Sequence, residues 1–169
     1  MTPSTGSMRV SALLGTILLM WGCGETAPPC HTAVQSPVAP SAGCLVITDR
    51  GVLLVRDWTG SVALPGGSVR PGESARCGAE REVFEETGLV VVASDTARRF
   101  ENGFQLFWCE VAAPAEPTIH RPLEIRQIIW WQPHEARFIE WRYPRQGDQI
   151  QALIAERRAA PASLVESDW

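Results

Sequence analysis

Glu82, Glu85 and Glu86 stand at i, i+3 and i+4, so on a helix their carboxylates share one face within an arc of roughly 100°. Three like charges so placed repel one another unless a cation sits among them. Ahead of them runs a loop with Gly66, Gly67 and Gly72, where glycine lets the backbone approach a ligand closely. Carboxylate and carbonyl oxygens are hard donors of the kind that hold Mg2+ or Mn2+, ions that keep several waters and bind substrate phosphates as well. Glu73 and Arg81 frame the group, and Arg81 four residues before Glu85 also fits a plain helix-surface pair. Small Ala75 and Gly78 lie near the same arc and are expected to leave room for ions and a diphosphate. A solvated acidic face would account for the helix, but not for the glycine loop or the fixed offsets to Glu73 and Arg81.

The elements that must position these residues can be read from the surrounding pattern. AGCLVITD and GVLLVRD are β-rich runs separated at Arg50 and Gly51, a hairpin signature. A third run, SVAL, leads into Pro65, Gly66 and Gly67, where the chain must turn. Residues Glu73 to Thr87 form a helix with Ala75, Ala79 and Val83 as its inward stripe, and Gly88 stops it. LVVVAS, FQLFWCEVA and EIRQIIWWQ read as further strands, PHEARFI as a short helix, and GDQIQALIAERR as a last helix with Ile150, Leu153 and Ile154 on its apolar face. This order predicts an α+β or α/β/α sandwich, with a mixed β-sheet between helices.

The chain has 169 residues, 45% of them hydrophobic and 20% charged, which suits one domain with an appended segment. A net charge of −4 offers no basic footprint for nucleic acid. Every cation other than histidine is arginine, so a charged side chain meeting phosphate is a guanidinium, able to engage two oxygens at once. Arg56, Arg98, Arg126 and Arg142 are candidates, and spacing does not choose among them. His120 and His134 have no partner motif and read as surface or loop residues.

Residues 1–23 read as a signal: Arg9, an apolar run from Val10 to Trp21, then Gly22 and Cys23. Twelve apolar residues are too few to cross a bilayer core, which takes roughly 20 in a helix. The segment resembles a bacterial lipoprotein signal, which implies lipidation of Cys23, an envelope location and a possible membrane tether. Export without a lipid, or an N-terminus that belongs elsewhere or folds inward, are the other readings, with a cytoplasmic location if the signal is not used. Residues 24–41 carry Pro28, Pro29, Pro37 and Pro40 and read as an extended tether, 42–158 as the domain, and 159–169 as a flexible tail. The cysteines at 23, 30, 44, 77 and 109 include no closely spaced pair for zinc or redox work. An oxidising compartment would permit one or two disulfides, but Cys44 and Cys109, in apolar strands, are expected to be buried thiols.

From Gly67 to Leu89 the spacing reads glycine, five residues, Glu73, seven residues, Arg81, Glu82, apolar Val83, one residue, Glu85, Glu86, one residue, Gly88 and apolar Leu89. This resembles the signature of the Nudix hydrolase family at every defined position. The resemblance implies that family's fold and the hydrolysis of nucleoside diphosphates linked to another group X, by water attack at phosphorus with Mg2+ or Mn2+. It implies metal contacts at the Gly66 carbonyl, Glu85 and Glu86, with Glu82 a metal or water contact that serves as the base. Glu73 and Arg81 would pair to hold the loop against the helix. Family sites are often completed by a later acidic residue, for which Glu124 is the first candidate, with Glu101 and Glu110 behind it.

The partner implied is a small-molecule diphosphate. Phe104, Phe107, Trp130, Trp131 and Trp141 could stack on a base, although aromatic residues on strands are more often core. Patterns that mark the ADP-ribose, dinucleoside polyphosphate and coenzyme A subfamilies are not evident, and Val62 replaces the tryptophan usual before the turn at Pro65, with Trp58 further upstream. Two other readings keep the fold without the reaction: an idle ligand-binding or regulatory module, and a tethered scaffold. Retention of every box glutamate counts against both.

Overall fold

The computed structural model describes residues 26–30, 38–134 and 139–160. The signal segment with Cys23, half of the tether and the tail after Ala160 lie outside these residues. So does most of the short helix expected over PHEARFI.

Seven strands and two helices follow in the order β1 (Ser41–Thr48), β2 (Gly51–Asp57), β3 (Val62–Ala63), β4 (Gly66–Ser68), α1 (Ala75–Thr87), β5 (Val91–Arg99), β6 (Gln105–Val111), β7 (Ile125–Trp131) and α2 (Gln146–Ala159). The sheet is mixed, in the order β3-β2-β1-β6-β5, with β4 added on β1 and β7 on β2. Strand β1 runs parallel to β6 and antiparallel to β2 and β4.

Alternation along the strands assigns each side chain to a face. Cys44, Val46, Leu53, Phe107 and Cys109 turn to one face, where Ala75, Ala79 and Val83 of α1 cover them. Leu45, Val52, Leu54 and Leu106 turn to the other, where Ile150 and Leu153 of α2 pack. The architecture is therefore the expected α/β/α sandwich. Both helical stripes fall inward as their spacing predicts.

Two elements differ from the sequence reading. The third run shrinks to Val62–Ala63, and the glycine turn itself becomes β4, with Ala42 opposite Gly67 and Gly43 opposite Gly66. Strand β5 continues to Arg99, beyond its apolar part, because β6 keeps pairing with it through two register shifts.

The cysteines require a correction. Cys44 and Cys109 are buried as expected, yet they are joined in a disulfide with Cα atoms 5.6 Å apart. In the parallel β1–β6 pair Cys44 lies opposite Phe107 and Val46 opposite Cys109, so the two cysteines are diagonal neighbours on one face. That proximity comes from strand pairing, which local apolar patterning does not reveal. A second disulfide joins Cys30, just before the domain, to Cys77 in α1.

Candidate active site

Helix α1 presents the acidic face. Ser74 caps it, its hydroxyl accepting from the Cys77 N–H at 3.2 Å, and Gly88 ends it in a left-handed conformation (φ 68°) with its N–H donated to Phe84 O. Side chains require φ below zero at nearly all positions, so glycine suits this stop. The cap leaves Glu73 in the preceding loop, one residue outside the helix end at Ser74.

Arg81 is the hub. Its Nε and Nη2 donate to the two oxygens of Glu73, each at 2.8 Å; Nη2 also reaches Ser68 O at 2.8 Å, and Nη1 reaches Glu82 Oε1 at 2.8 Å and Glu85 Oε2 at 3.1 Å. All five guanidinium N–H donors thus have acceptors. The hydrogen bonds that Arg81 donates to Glu73 raise the Arg81 pKa against the opposing effect of burial. Burial pushes the Glu73 carboxyl up, but the bonds from Arg81 and from the Arg70 N–H outweigh it and hold the group below its ordinary value. Glu73 and Arg81 therefore bind β4, loop and helix into one unit, the pairing that the resemblance to the Nudix signature implied.

Glu86 has different surroundings. It is buried, and its Oε2 accepts from the Gly66 N–H at 3.1 Å. Burial drives its pKa up to about 8, aided by the charges of Glu82 and Glu124 and opposed by the Gly66 bond and the charge of Arg142. The loop passes so close that a Cβ on Gly67 would stand 2.7 Å from the Glu82 carboxylate carbon.

Two arginines that the spacing did not single out complete the cluster. Arg70 Nη2 meets Glu85 Oε1 at 2.8 Å. Arg121 pairs with Glu85, approaches Glu82 Oε2 at 3.6 Å and reaches Glu124 at 3.2 Å. Arg70 lies within the glycine loop, three residues before Glu73, which was a usable signal. Arg121 carried none, because only the fold brings the β6–β7 connection over α1.

Gly66, Glu73, Arg81, Glu82, Glu85 and Glu86 are thus brought together, and Glu124 stands at the rim on the Arg121 turn. Glu101 falls in the turn after β5 and Glu110 on an exposed position of β6. Of the four candidate arginines, Arg142 stands nearest the acidic face: it pairs with Asp57, and its charge acts on Glu86. Arg56 meets Gln127 and Arg98 meets Glu156. Ala75 and Gly78 do not line open space. Ala75 is core, and a Cβ on Gly78 would come within 3.0 Å of Val69, so these small residues admit the loop.

A cavity of about 230 Å³ opens beside Gly66 and Gly67, bounded by Leu64, Phe104, Arg142 and Tyr143. Phe104 alone of the five aromatics lines it. Phe107 is core, Trp131 packs edge-on against Trp141, and Trp130 lies under the Arg50 guanidinium.

For a divalent cation the donor type fits: three carboxylates and a backbone carbonyl, with Glu86 among them buried. Among the described residues no three acidic, histidine or cysteine side chains converge on one point. The guanidiniums of Arg81 and Arg121 engage Glu82 and Glu85 instead.

The chain is thus an α/β/α sandwich that carries a glycine loop and a glutamate-bearing helix side by side. A family model described as NUDIX domain matches residues 37–153, and the chain belongs to that family. No curated protein matches it. Solved structures share the fold. An ADP-ribose pyrophosphatase from Streptococcus suis aligns with a TM-score of 0.59 at 17% identity, over 72% of this chain and 92% of its own. A MutT protein from Methanosarcina mazei gives 0.58 at 24% identity over 75% and 99%, and a UDP-X diphosphatase 0.58 at 17% over 75% and 67%.

Proposed function

We propose that this chain is a divalent-metal-dependent hydrolase that cleaves the diphosphate linkage of a nucleoside diphosphate joined to a group X, by water attack at phosphorus. As a NUDIX family member with the full glutamate set it is an enzyme acting on pyrophosphate bonds. The observation that carries the reading is the assembly of Glu82, Glu85 and Glu86 against the Gly66–Gly67 loop, which also borders the cavity, with every N–H of Arg81 committed to Glu73, Ser68, Glu82 and Glu85.

The roles follow from these surroundings. Gly66 O, Glu85 and Glu86 would hold Mg2+ or Mn2+, with Glu82 beside them and Glu124 at the rim. When bound, the ion offsets the diphosphate charge and acidifies a water. Glu82 accepts the proton of the attacking water, and Glu73 and Arg81 fix the loop without reacting. The water oxygen bonds to phosphorus, the bridging P–O bond breaks, and two phosphate monoesters leave. Arg142, whose charge acts on Glu86, and Arg121, which pairs with Glu85, would meet phosphate oxygens. The cavity lined by Phe104 and Tyr143 suits a flat ring.

The same reading includes export and lipidation at Cys23. Its support is the pairing of four of the five cysteines in two disulfides, bonds that persist in oxidising compartments. Radiolabelled lipid precursor should label the wild type but not Cys23→Ala, and equal labelling would remove the claim.

For activity, the purified full chain is assayed with Mg2+ or Mn2+ on ADP-ribose, UDP-sugars and dinucleoside polyphosphates. Turnover that survives Glu86→Gln unchanged overturns the site. Tight binding without turnover favours the idle ligand-binding module instead.

A further inference from the structure

The rim of the acidic site carries an apolar edge that packing does not require. Arg121 to Glu124 form one tight turn, closed by Glu124 N–H and Ile125 N–H donating to Arg121 O at 3.0 and 2.8 Å. The ends of that turn, Arg121 and Glu124, face the carboxylates. Its middle, Pro122 and Leu123, faces solvent, and Leu123 is 93% exposed. The indole of Trp58, 62% exposed, is anchored over the turn by its Nε1–H donating to Pro122 O at 2.9 Å. Trp58 also follows Asp57, the partner of Arg142. An indole with a tied polar end and a bare ring, beside a bare leucine, is the composition that settles at a membrane interface.

The N-terminal chain approaches the same rim. The Cys30–Cys77 disulfide fixes the segment before the domain to α1, and residues 26–30 share a cleft with Arg70, Arg81 and Glu85. The other oxygen of Glu85 meets Arg121. From Cys23 to Cys30 there are seven residues, a reach of about 25 Å at most. From Cys23 to Ala39 there are sixteen, roughly 55 Å. The disulfide more than halves the leash. A lipid on Cys23, or the apolar run before it, would therefore hold the carboxylate rim at the bilayer surface.

We propose that Trp58, Pro122 and Leu123 form a membrane-docking edge that presents a lipid-linked diphosphate to the glutamates, so that X is a membrane lipid. The inference rests on the hydrolase reading and names its substrate class: a nucleoside diphosphate whose second ester is a diacylglycerol or similar lipid. Its nucleoside enters the cavity beside Gly66, the diphosphate lies across Glu86 and Glu82, and the lipid ester stays in the bilayer under Trp58 and Leu123. Water opens the bridging P–O bond, leaving a nucleoside monophosphate in solution and a lipid phosphate in the membrane.

The test uses the full chain with vesicles of phosphatidylethanolamine and phosphatidylglycerol, and two substrates: CDP-diacylglycerol in the vesicles and ADP-ribose in water. In Trp58→Ser/Leu123→Ser the apparent KM for CDP-diacylglycerol should rise about tenfold, as loss of two apolar side chains that the bilayer would cover permits. The kcat/KM for ADP-ribose should stay within about twofold of wild type, since neither side chain touches the acidic cluster. Trp58→Phe, which keeps the ring and loses the indole bond, should recover most of the lipid rate. Independently of turnover, vesicles should slow amide hydrogen exchange at residues 57–60 and 121–125 of the wild type. Unchanged exchange there, or equal CDP-diacylglycerol kinetics in the double variant, overturns the docking edge. Slowed exchange with no CDP-diacylglycerol turnover, while ADP-ribose is cleaved, overturns the lipid substrate. Failure on both substrates falls on the hydrolase reading and takes the lipid substrate with it, while the exchange result still decides the docking edge.

Discussion

Arg81 holds both carboxylate oxygens of Glu73, through Nε and Nη2 at 2.8 Å each, although the two residues belong to different elements. That fork couples the loop that carries Gly66 and Gly67 to the helix that carries the glutamates. Lysine has one ammonium and cannot reproduce it. Arg81→Lys should therefore lower stability by about 2–4 kcal/mol, since the remaining buried carboxylates lose donors. It should also lower kcat far more than it raises KM. Urea denaturation and steady-state kinetics together check this, and unchanged stability would show that the fork does not hold the loop.

Glu86 predicts a pH dependence of stability. Its folded pKa of about 8 lies above its ordinary 4.5, so the native state binds the proton more tightly than the unfolded chain. The resulting stability is complete below about 4.5 and is lost as pH rises through about 8. With a chelator present, wild-type stability should fall between pH 5 and 8 by at least about 1 kcal/mol relative to Glu86→Gln, which cannot ionise. Below pH 4.5 the trend reverses, because Glu73, with its lowered pKa, loses its stabilising charge as pH falls. Denaturant midpoints across that range give the comparison.

Gly67→Ala should abolish turnover while leaving a folded protein. The added methyl would lie 2.7 Å from the Glu82 carboxylate carbon, so Glu82 must swing away or the loop must lift. Overpacking of this kind costs about 1–3 kcal/mol. Circular dichroism should be native and hydrolysis of any accepted diphosphate reduced about a hundredfold or more, in line with loss of a positioned proton acceptor.

The two disulfides should open in a fixed order. Cys30 is exposed and Cys77 half-buried, whereas Cys44 and Cys109 are buried in the sheet. A dithiol reductant in the native state should release Cys30 and Cys77 first, with Cys44 and Cys109 modified only on unfolding. Thiol tagging followed by peptide mass mapping reads the order. Cys44→Ala/Cys109→Ala should cost about 2–5 kcal/mol.

Much of this was legible because the site is local. Gly66, Glu73, Arg81, Glu82, Glu85 and Glu86 lie within 21 consecutive positions, so helical periodicity and loop chemistry fix their relations. The stripe of Ala75, Ala79 and Val83 and the hairpin at Gly51 are local in the same way. Arg121 and the Cys44–Cys109 bond were not legible, and Arg142 could be named among four arginines but not chosen, because each depends on which distant strand or turn the sheet brings alongside. Gly78 misled for another reason. Small size signals close packing, and the neighbour was the chain's own Val69 rather than a ligand.

Strand β1 is the first part of the domain to be made, yet its parallel partner β6 and the cysteine that closes on Cys44 come 65 residues later. At 5–20 residues per second of synthesis, β1 waits roughly 3–13 s for them. During that interval β1 can pair with β2 and β4 and pack against α1, while the edge that will take β6 stays open. Closure of the Cys44–Cys109 bond therefore cannot precede the delivery of β6, so the sheet is locked across its centre only once the second half of the domain has been made.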